Sequence, residues 1–394
     1  MRPFSIGLLT VAAALAASAA VVWSAEAPAK TLTPQERERA TALVKTVVGG
    51  DSAAAMKAIQ DLKAMGDAAK PRLANAVRDR LVRDRDAAMA AVRRIGDAAQ
   101  AKAMEEEMTA LRKAAKANIE ILAKDDTLRI AHENYDKLMK MNALFKEVVT
   151  AREAICAAMA HRGELMAIWQ DTGPATENRL SLVAEEKLKT AAEAALGMTV
   201  EAMRAIPEFG DGKEPAEPAQ WNIWFLRACR RIEAYNAKQT AATGAGELEN
   251  ITLLNAYREA LGTLPVEIDA RLQQSARRHS KEMVDLGYFA HESPTATEKT
   301  HAQRMKNAGY LVGAYSENIA AGTSSGRGAF EMWFDSPGHH KNMVHAGSTG
   351  IGVGRWASTW TQNFGTAKRL MLADDAERAK AIVLGTVLTP HGGK

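Results

Sequence analysis

The stretch Gly350-Ile351-Gly352-Val353-Gly354, followed by Trp360-Thr361-Gln362-Asn363-Phe364-Gly365, decides the fold. Both pieces read as β-strands, and the short interval between them reads as a turn. Upstream, from about Thr33 to Tyr235, strong helix formers dominate in apolar patterns of 3.6 periodicity, broken by short Gly, Asp and Pro punctuation. Strands that follow a long run of helices make the chain α+β, an all-α domain preceding a mixed one.

Working back from the strands, a helix is expected over Leu253–Leu261, a turn at Pro265 and a second helix over Ile268–Leu286. Ahead of them Ala241-Ala242-Thr243-Gly244-Ala245-Gly246 is small, flexible and uncharged, so the interdomain linker is placed at 241–249. A chain of 394 residues exceeds one ordinary core of ~100 to 200 residues. The expected division is therefore a helical domain over 30–240, a mixed domain over 250–367 and a C-terminal tail over 368–394. Inside the helical part, Gly173-Pro174 and the turn-rich loop Pro207–Pro218 are breaks. Trp221, Trp224, Phe225, Ala228, Ile232 and Tyr235 fall on one stripe, the pattern of a core-facing helix. Residues 54–59 with Gly66-Asp67-Ala68-Ala69 resemble residues 87–92 with Gly96-Asp97-Ala98-Ala99. Two readings stand: HEAT-like helical hairpins within 40–110, or a plain Ala-rich bundle with coincident turns.

The first residues set a single charge, Arg2, before an uncharged apolar run from Ile6 to Val22, then small residues and the charged Glu26. That is the layout of a secretory signal peptide over 1–25, with an uncleaved anchor as the rival. Export, to the exterior or a periplasm, is the expectation, with no other membrane span. Cys156 and Cys229 are a disulfide pair in an oxidising compartment or two buried thiols. The formal charge of +4 is a small excess, and the seven arginines between Arg72 and Arg94 are interleaved with Asp79, Asp84 and Asp86. This is a solvated helix face, and nucleic acid is excluded as a partner.

The mixed domain carries a series of motifs. In order they are Asn255-Ala256-Tyr257-Arg258, Tyr288-Phe289-Ala290-His291-Glu292-Ser293-Pro294, Ser316-Glu317-Asn318-Ile319-Ala320, Met332-Trp333-Phe334-Asp335-Ser336-Pro337-Gly338-His339, and the two strand motifs. Over about 115 residues this order resembles the CAP (SCP-like, PR-1-like) superfamily in its bacterial form. The resemblance implies a three-layer α-β-α sandwich. It also implies a cleft built from two His and two acidic residues, which carries over as His291, Glu317 and His339. The fourth position departs from the family pattern, with Ser336 where many members hold Glu and Asp335 one residue earlier. Asn318, Ser336 and Gln362 complete the expected cleft.

Two imidazoles and a carboxylate suit Zn²⁺ or another divalent ion; equally, His291, Glu317 and His339 read as a hydrogen-bonded network holding loops together. Thr295 stands where a zinc metallopeptidase helix would need its second His. Ser293 and Ser336 each precede Pro and read as turn residues, so no catalytic residue is assigned. His279 is read as packing or surface, and His301, His340 and His345 as facing solvent, with His340 an alternative ligand if its loop turns differently. The function expected first is a non-enzymatic extracellular or periplasmic module binding a small-molecule, lipid or cell-envelope ligand. In it, the helical domain supplies any protein contacts. The alternatives are a metal-dependent hydrolase of peptide or envelope substrates, and a helical scaffold.

Overall fold

The computed structural model describes residues 31–96, 102–110, 113, 125–160, 162–173, 182–210 and 213–385. The expected signal peptide lies outside the described residues. The described residues fall into two compact units, one within 31–83 and 162–173 and the other within 84–160 and 182–385.

The first unit opens with α1 (Pro34–Gly49), whose start is a full capping box: Thr33 accepts from the Glu36 amide, and Glu36 accepts from the Thr33 amide. α2 (Ser52–Ala64), capped by Asp51, turns back along it. Ala40, Val47, Ile59 and Leu62 bury a common core with Leu73, Val77 and Leu81 of α3 (Lys70–Ile95) and with Leu165 and Trp169 further on. Arg80 donates to the Val47 and Gly50 carbonyls at 3.1 and 2.8 Å, satisfying acceptors that the end of α1 leaves without helical partners. Both copies of the sequence repeat are helix ends followed by a positive-φ glycine, Gly66 and Gly96.

Further helices are α4 (residues 102–110), α5 (Asp125–Ala160), α6 (Arg162–Thr172), α7 (Leu182–Leu196), α8 (Val200–Arg204) and α9 (Pro218–Ala237). The aromatic stripe of α9 is core, and the burial is wider than the stripe: Ile223, Leu226 and Cys229 join Trp224, Phe225, Ala228 and Ile232 below 2% exposure. Cys156 and Cys229 are both buried, and no disulfide joins them.

After α9 come α10 (Ala245–Ala260), β1 (Glu267–Ile268), α11 (Ala270–Leu286), α12 (His301–Asn307), β2 (Ala314–Ala321), α13 (Gly326–Phe334), α14 (Pro337–Val344), β3 (Gly350–Trp356), β4 (Thr359–Gly365) and α15 (Asp375–Gly385). The sheet order is β1-β3-β4-β2, with β1 parallel to β3 and the other pairs antiparallel. α11 lies on one face, and α10 and α13 on the other, which gives the sandwich its three layers.

The glycines of the opening motif have a specific cause. A Cβ on Gly352 would stand 2.0 Å from the Leu272 carbonyl carbon, and one on Gly354 2.1 Å from the Arg277 nitrogen. α11 therefore seats its backbone directly on β3, which only glycine permits. The alternate residues Ile351 and Val353 join Tyr257, Trp333, Trp360 and Phe364 in the core of the other face.

The segment expected as a linker is built into the fold. Residues 240–242 form a 3₁₀ turn and 245–249 the first turn of α10. Glu247 is 2% exposed and accepts from Gly244, Gln273, Arg277 and the Arg355 amide. A buried carboxylate with a guanidinium partner holds this segment in place, whereas composition alone suggested mobility. At the other end Arg369 donates to the Pro265 carbonyl at 3.0 Å, Leu370 is buried and α15 packs on α11, so much of the expected tail is ordered structure. β1 is itself bracketed by two amides. Asn236 of α9 and Asn255 of α10 both donate to the Val266 carbonyl at 3.0 Å and accept from the Ile268 and Val266 amides at 2.9 Å. Among the described residues, no helix is long and apolar enough to cross a membrane.

Candidate functional site

β2 is an edge strand, and two successive residues, Glu317 and Asn318, point to its opposite faces. Each anchors a separate polar network, and together these hold most of the residues singled out from the sequence.

On the α11 face, His279 and Glu282 sit three residues apart and so share one side of the helix. Glu282 collects the loop that follows, accepting from Tyr288 at 2.7 Å, Ser293 at 2.8 Å and Thr295 at 2.7 Å. The buried His279 ring meets the Ala290 carbonyl at 3.1 Å through Nε2. The loop so folded returns His291 over β2, where its Nδ1 lies 3.0 Å from Glu317 Oε1. α12, capped by Thr300, then sets Arg304 under the same carboxylate. Arg304 Nη2 donates to both Glu317 oxygens at 2.8 and 2.7 Å, and also to the His291 carbonyl at 3.0 Å. Both partners of this ion pair are almost wholly buried, Arg304 at 2% and Glu317 at 6% exposure. With its amide turned to satisfy its neighbours, Asn363 adds a donor to Glu317 Oε2 at 3.2 Å.

Burial pushes the Glu317 carboxyl upward, but the hydrogen bond from His291 and the charge of Arg304 outweigh it, leaving the group below the ordinary carboxylate range. Desolvation holds the His279, His301 and His339 imidazoles below their usual range, with Arg304 assisting at the first two and His291 at the third. The result is an anion matched by a guanidinium, beside the His279 and His301 imidazoles held below their ordinary range.

On the other face, Asn318 is fully buried and donates to the His339 carbonyl at 3.2 Å and to Gln362 at 3.0 Å. Gln362 in turn donates to Asn250 at 3.0 Å, and Asn342 donates to Asn318 at 2.8 Å. The chain of amides ties α10, β4, β2 and α14 together and fixes the start of α14. Gln362 is therefore an internal strut at 0% exposure, not a wall of an open cleft. His339 Nδ1 is buried and has no hydrogen-bond partner among the described residues.

Ser336 is the N-cap residue of α14, its carbonyl accepting from the His340 amide at 2.8 Å. Asp335 meets His132 of α5 at 3.0 Å. His340 is fully buried against Tyr257 at 3.0 Å, and His345 stacks on Tyr315 at 3.9 Å between ring centres, so neither simply faces solvent as expected. His279 and His301 are drawn to Glu317, the former at 3.7 Å. Arg304 carries no local sign in the sequence, since its partner Glu317 lies 13 residues away on another element.

The donors expected for a divalent ion do not fit one. Among the described residues no group of three His, Cys, Asp or Glu side chains could hold a metal. Glu317 has both oxygens on Arg304, and His291 Nδ1 is engaged on the same carboxylate. A second cation there would meet the guanidinium. For the same reason Glu317 is not available as a general base.

The family model of the cysteine-rich secretory protein family, CAP, matches residues 251–364. An uncharacterized protein of Bacillus subtilis (strain 168), YkwD, is 37% identical over 126 residues, 32% of this chain and 48% of that protein. A second from the same organism, the uncharacterized membrane protein YlbC, is 30% identical over 118 residues, 30% of this chain and 34% of that one. The chain thus spans about half the length of the first relative and about a third of the second. Among solved structures, an extracellular protein containing a SCP domain from Bacillus anthracis str. Ames is 29% identical, with 39% of this chain and 45% of that one covered and a TM-score of 0.28.

Proposed function

Residues 251–364 are a CAP domain, and from that premise we propose that they form a non-catalytic binding module. It acts outside the cytoplasm on a small lipid or cell-envelope ligand, received where His291 and His339 approach the edge of β2. The observation that carries this reading is the Arg304–Glu317 pair, at 2.8 and 2.7 Å and almost wholly buried, which consumes the acidic group a hydrolase would need. The half-exposed His291 ring and the unpartnered Nδ1 of His339 are the polar groups left for a ligand. The signal-like sequence ahead of the described residues supports export.

The test is retention of the exported chain on cell-envelope fractions and on phospholipid vesicles, with His291→Ala/His339→Ala alongside. The expected result is retention of the wild type and its loss in the double variant at an unchanged melting temperature. Equal retention of both proteins would remove the cleft from the proposal. One-to-one Zn²⁺ binding, with peptide hydrolysis that chelation abolishes and the double variant lacks, would replace it with the hydrolase.

A further inference from the structure

Away from the CAP domain, the helical part of the second unit holds a pocket of about 460 Å³ between α5, α9 and the segment around the end of α8. Its composition follows from helical spacing. Glu153, Cys156, Ala157 and Ala160 are the i, i+3, i+4, i+7 stripe of α5 and give one wall, mostly apolar. Arg227, Arg230 and Arg231 stand at i, i+3 and i+4 on α9, so they share one side of the helix, and all three line the pocket. Arg204, the last residue of α8, adds a fourth, and Ile206 after it adds apolar surface.

Within the lining itself the charges do not balance, although Glu233 and Glu259 also act on Arg230 from outside it. Glu153 and Glu208 are the carboxylates of the lining, against four arginines. Glu153 accepts from Arg227 at 3.3 Å and from Arg230, while Arg231 donates to the Phe209 carbonyl. Arg204 is exposed and, among the described residues, makes no hydrogen bond or ion pair, interacting only electrostatically with Glu201 one turn earlier. Burial pushes the Cys156 thiol up despite Arg204 and Arg227 nearby, so it remains a neutral, weakly polar wall. The volume lies in the range of small-molecule sites and is many times the ~30 Å³ share of one water molecule, more than an inorganic anion fills.

We propose that this pocket binds a small amphipathic anion, its phosphate or carboxylate head among Arg204, Arg227 and Arg231 and its apolar body against α5 and Ile206. The pairing is charge-assisted at the head and hydrophobic along the body, so affinity falls as salt rises. The site is separate from the CAP cleft and does not rest on its proposed function.

The experiment is calorimetric titration of the full chain with decyl phosphate, decanoate and inorganic phosphate, below the micellar range of the two amphiphiles. One-to-one binding of at least one decyl compound is expected, with the tighter of the two identifying the head group and inorganic phosphate at least about tenfold weaker. Arg204→Glu and Ala157→Trp, both at exposed positions, should each weaken binding by about tenfold or more while leaving the melting curve in place. His291→Ala/His339→Ala should leave it unchanged. The proposal is overturned by absence of saturable binding to either decyl compound, by equal binding of inorganic phosphate, by wild-type binding in both pocket variants, or by loss of binding in the His double variant.

Discussion

Glu317 and Glu153 are both carboxylates among arginines, and they differ in what is left over. At Glu317 one carboxylate meets one guanidinium through both oxygens, and each is buried to more than nine-tenths. At Glu153 one carboxylate is divided between Arg227 and Arg230, all three side chains are between 18% and 29% exposed, and two further arginines stand beside them. Matched charge in a sealed place is architecture, because solvent cannot replace either partner once the other is gone. Unmatched charge at an open, partly apolar pocket is what the proposed anion would meet. The difference separates a carboxylate of residues 251–364 that is committed to structure from a pocket lining in which arginines outnumber carboxylates.

The largest expected effect breaks the first half of this contrast. Arg304→Ala strands a buried carboxylate and should cost about 3–5 kcal/mol of unfolding free energy, read from the urea transition of the full chain by tryptophan fluorescence. A cost below about 1 kcal/mol would mean that Glu317 is solvated and free to do chemistry. Glu153→Gln tests the second half with a smaller effect. Its partners can turn to water, so the loss should be about 1–3 kcal/mol. Removal of a competing anion should also tighten decyl phosphate binding severalfold. Weaker binding in Glu153→Gln would show instead that Glu153 holds the arginines in their receptive arrangement.

How far each region was legible follows from the range of its contacts. Helices are local, so the 3.6 periodicity and the break at Pro207–Pro218 revealed the helical part from residue types alone. The β3 and β4 motifs were legible because Gly352 and Gly354 record a close helix–strand approach within one short segment. His291 and Glu317 do meet, at 3.0 Å. Arg304 was invisible, since nothing in the residues around α12 says that its guanidinium turns toward β2. The same applies to the Asn250–Gln362–Asn318 chain, whose first link joins residues 112 apart. The linker reading failed at Glu247, where composition describes the neighbours in sequence and Arg277 of α11 decides the outcome.

The smallest expected effect concerns protons. His279 is fully buried, and desolvation together with Arg304 holds its imidazole below the ordinary range, so the folded state takes up a proton less readily than the unfolded chain. Between those two affinities the unfolded chain carries more protons, so stability is present above the unfolded histidine value near ~6.5 and is lost as pH falls through the folded one. Glu317 follows the same sign in a lower window: its depressed carboxyl keeps its contribution until pH drops below the carboxylate range. The melting temperature should therefore decline from pH 7.5 to 5, and His279→Gln should reduce that decline without abolishing it, because His301 and His339 are depressed as well. The change of slope from one imidazole is at most about 1.4 kcal/mol per pH unit. An identical slope in His279→Gln would place the acid sensitivity elsewhere and would leave His279 as packing alone.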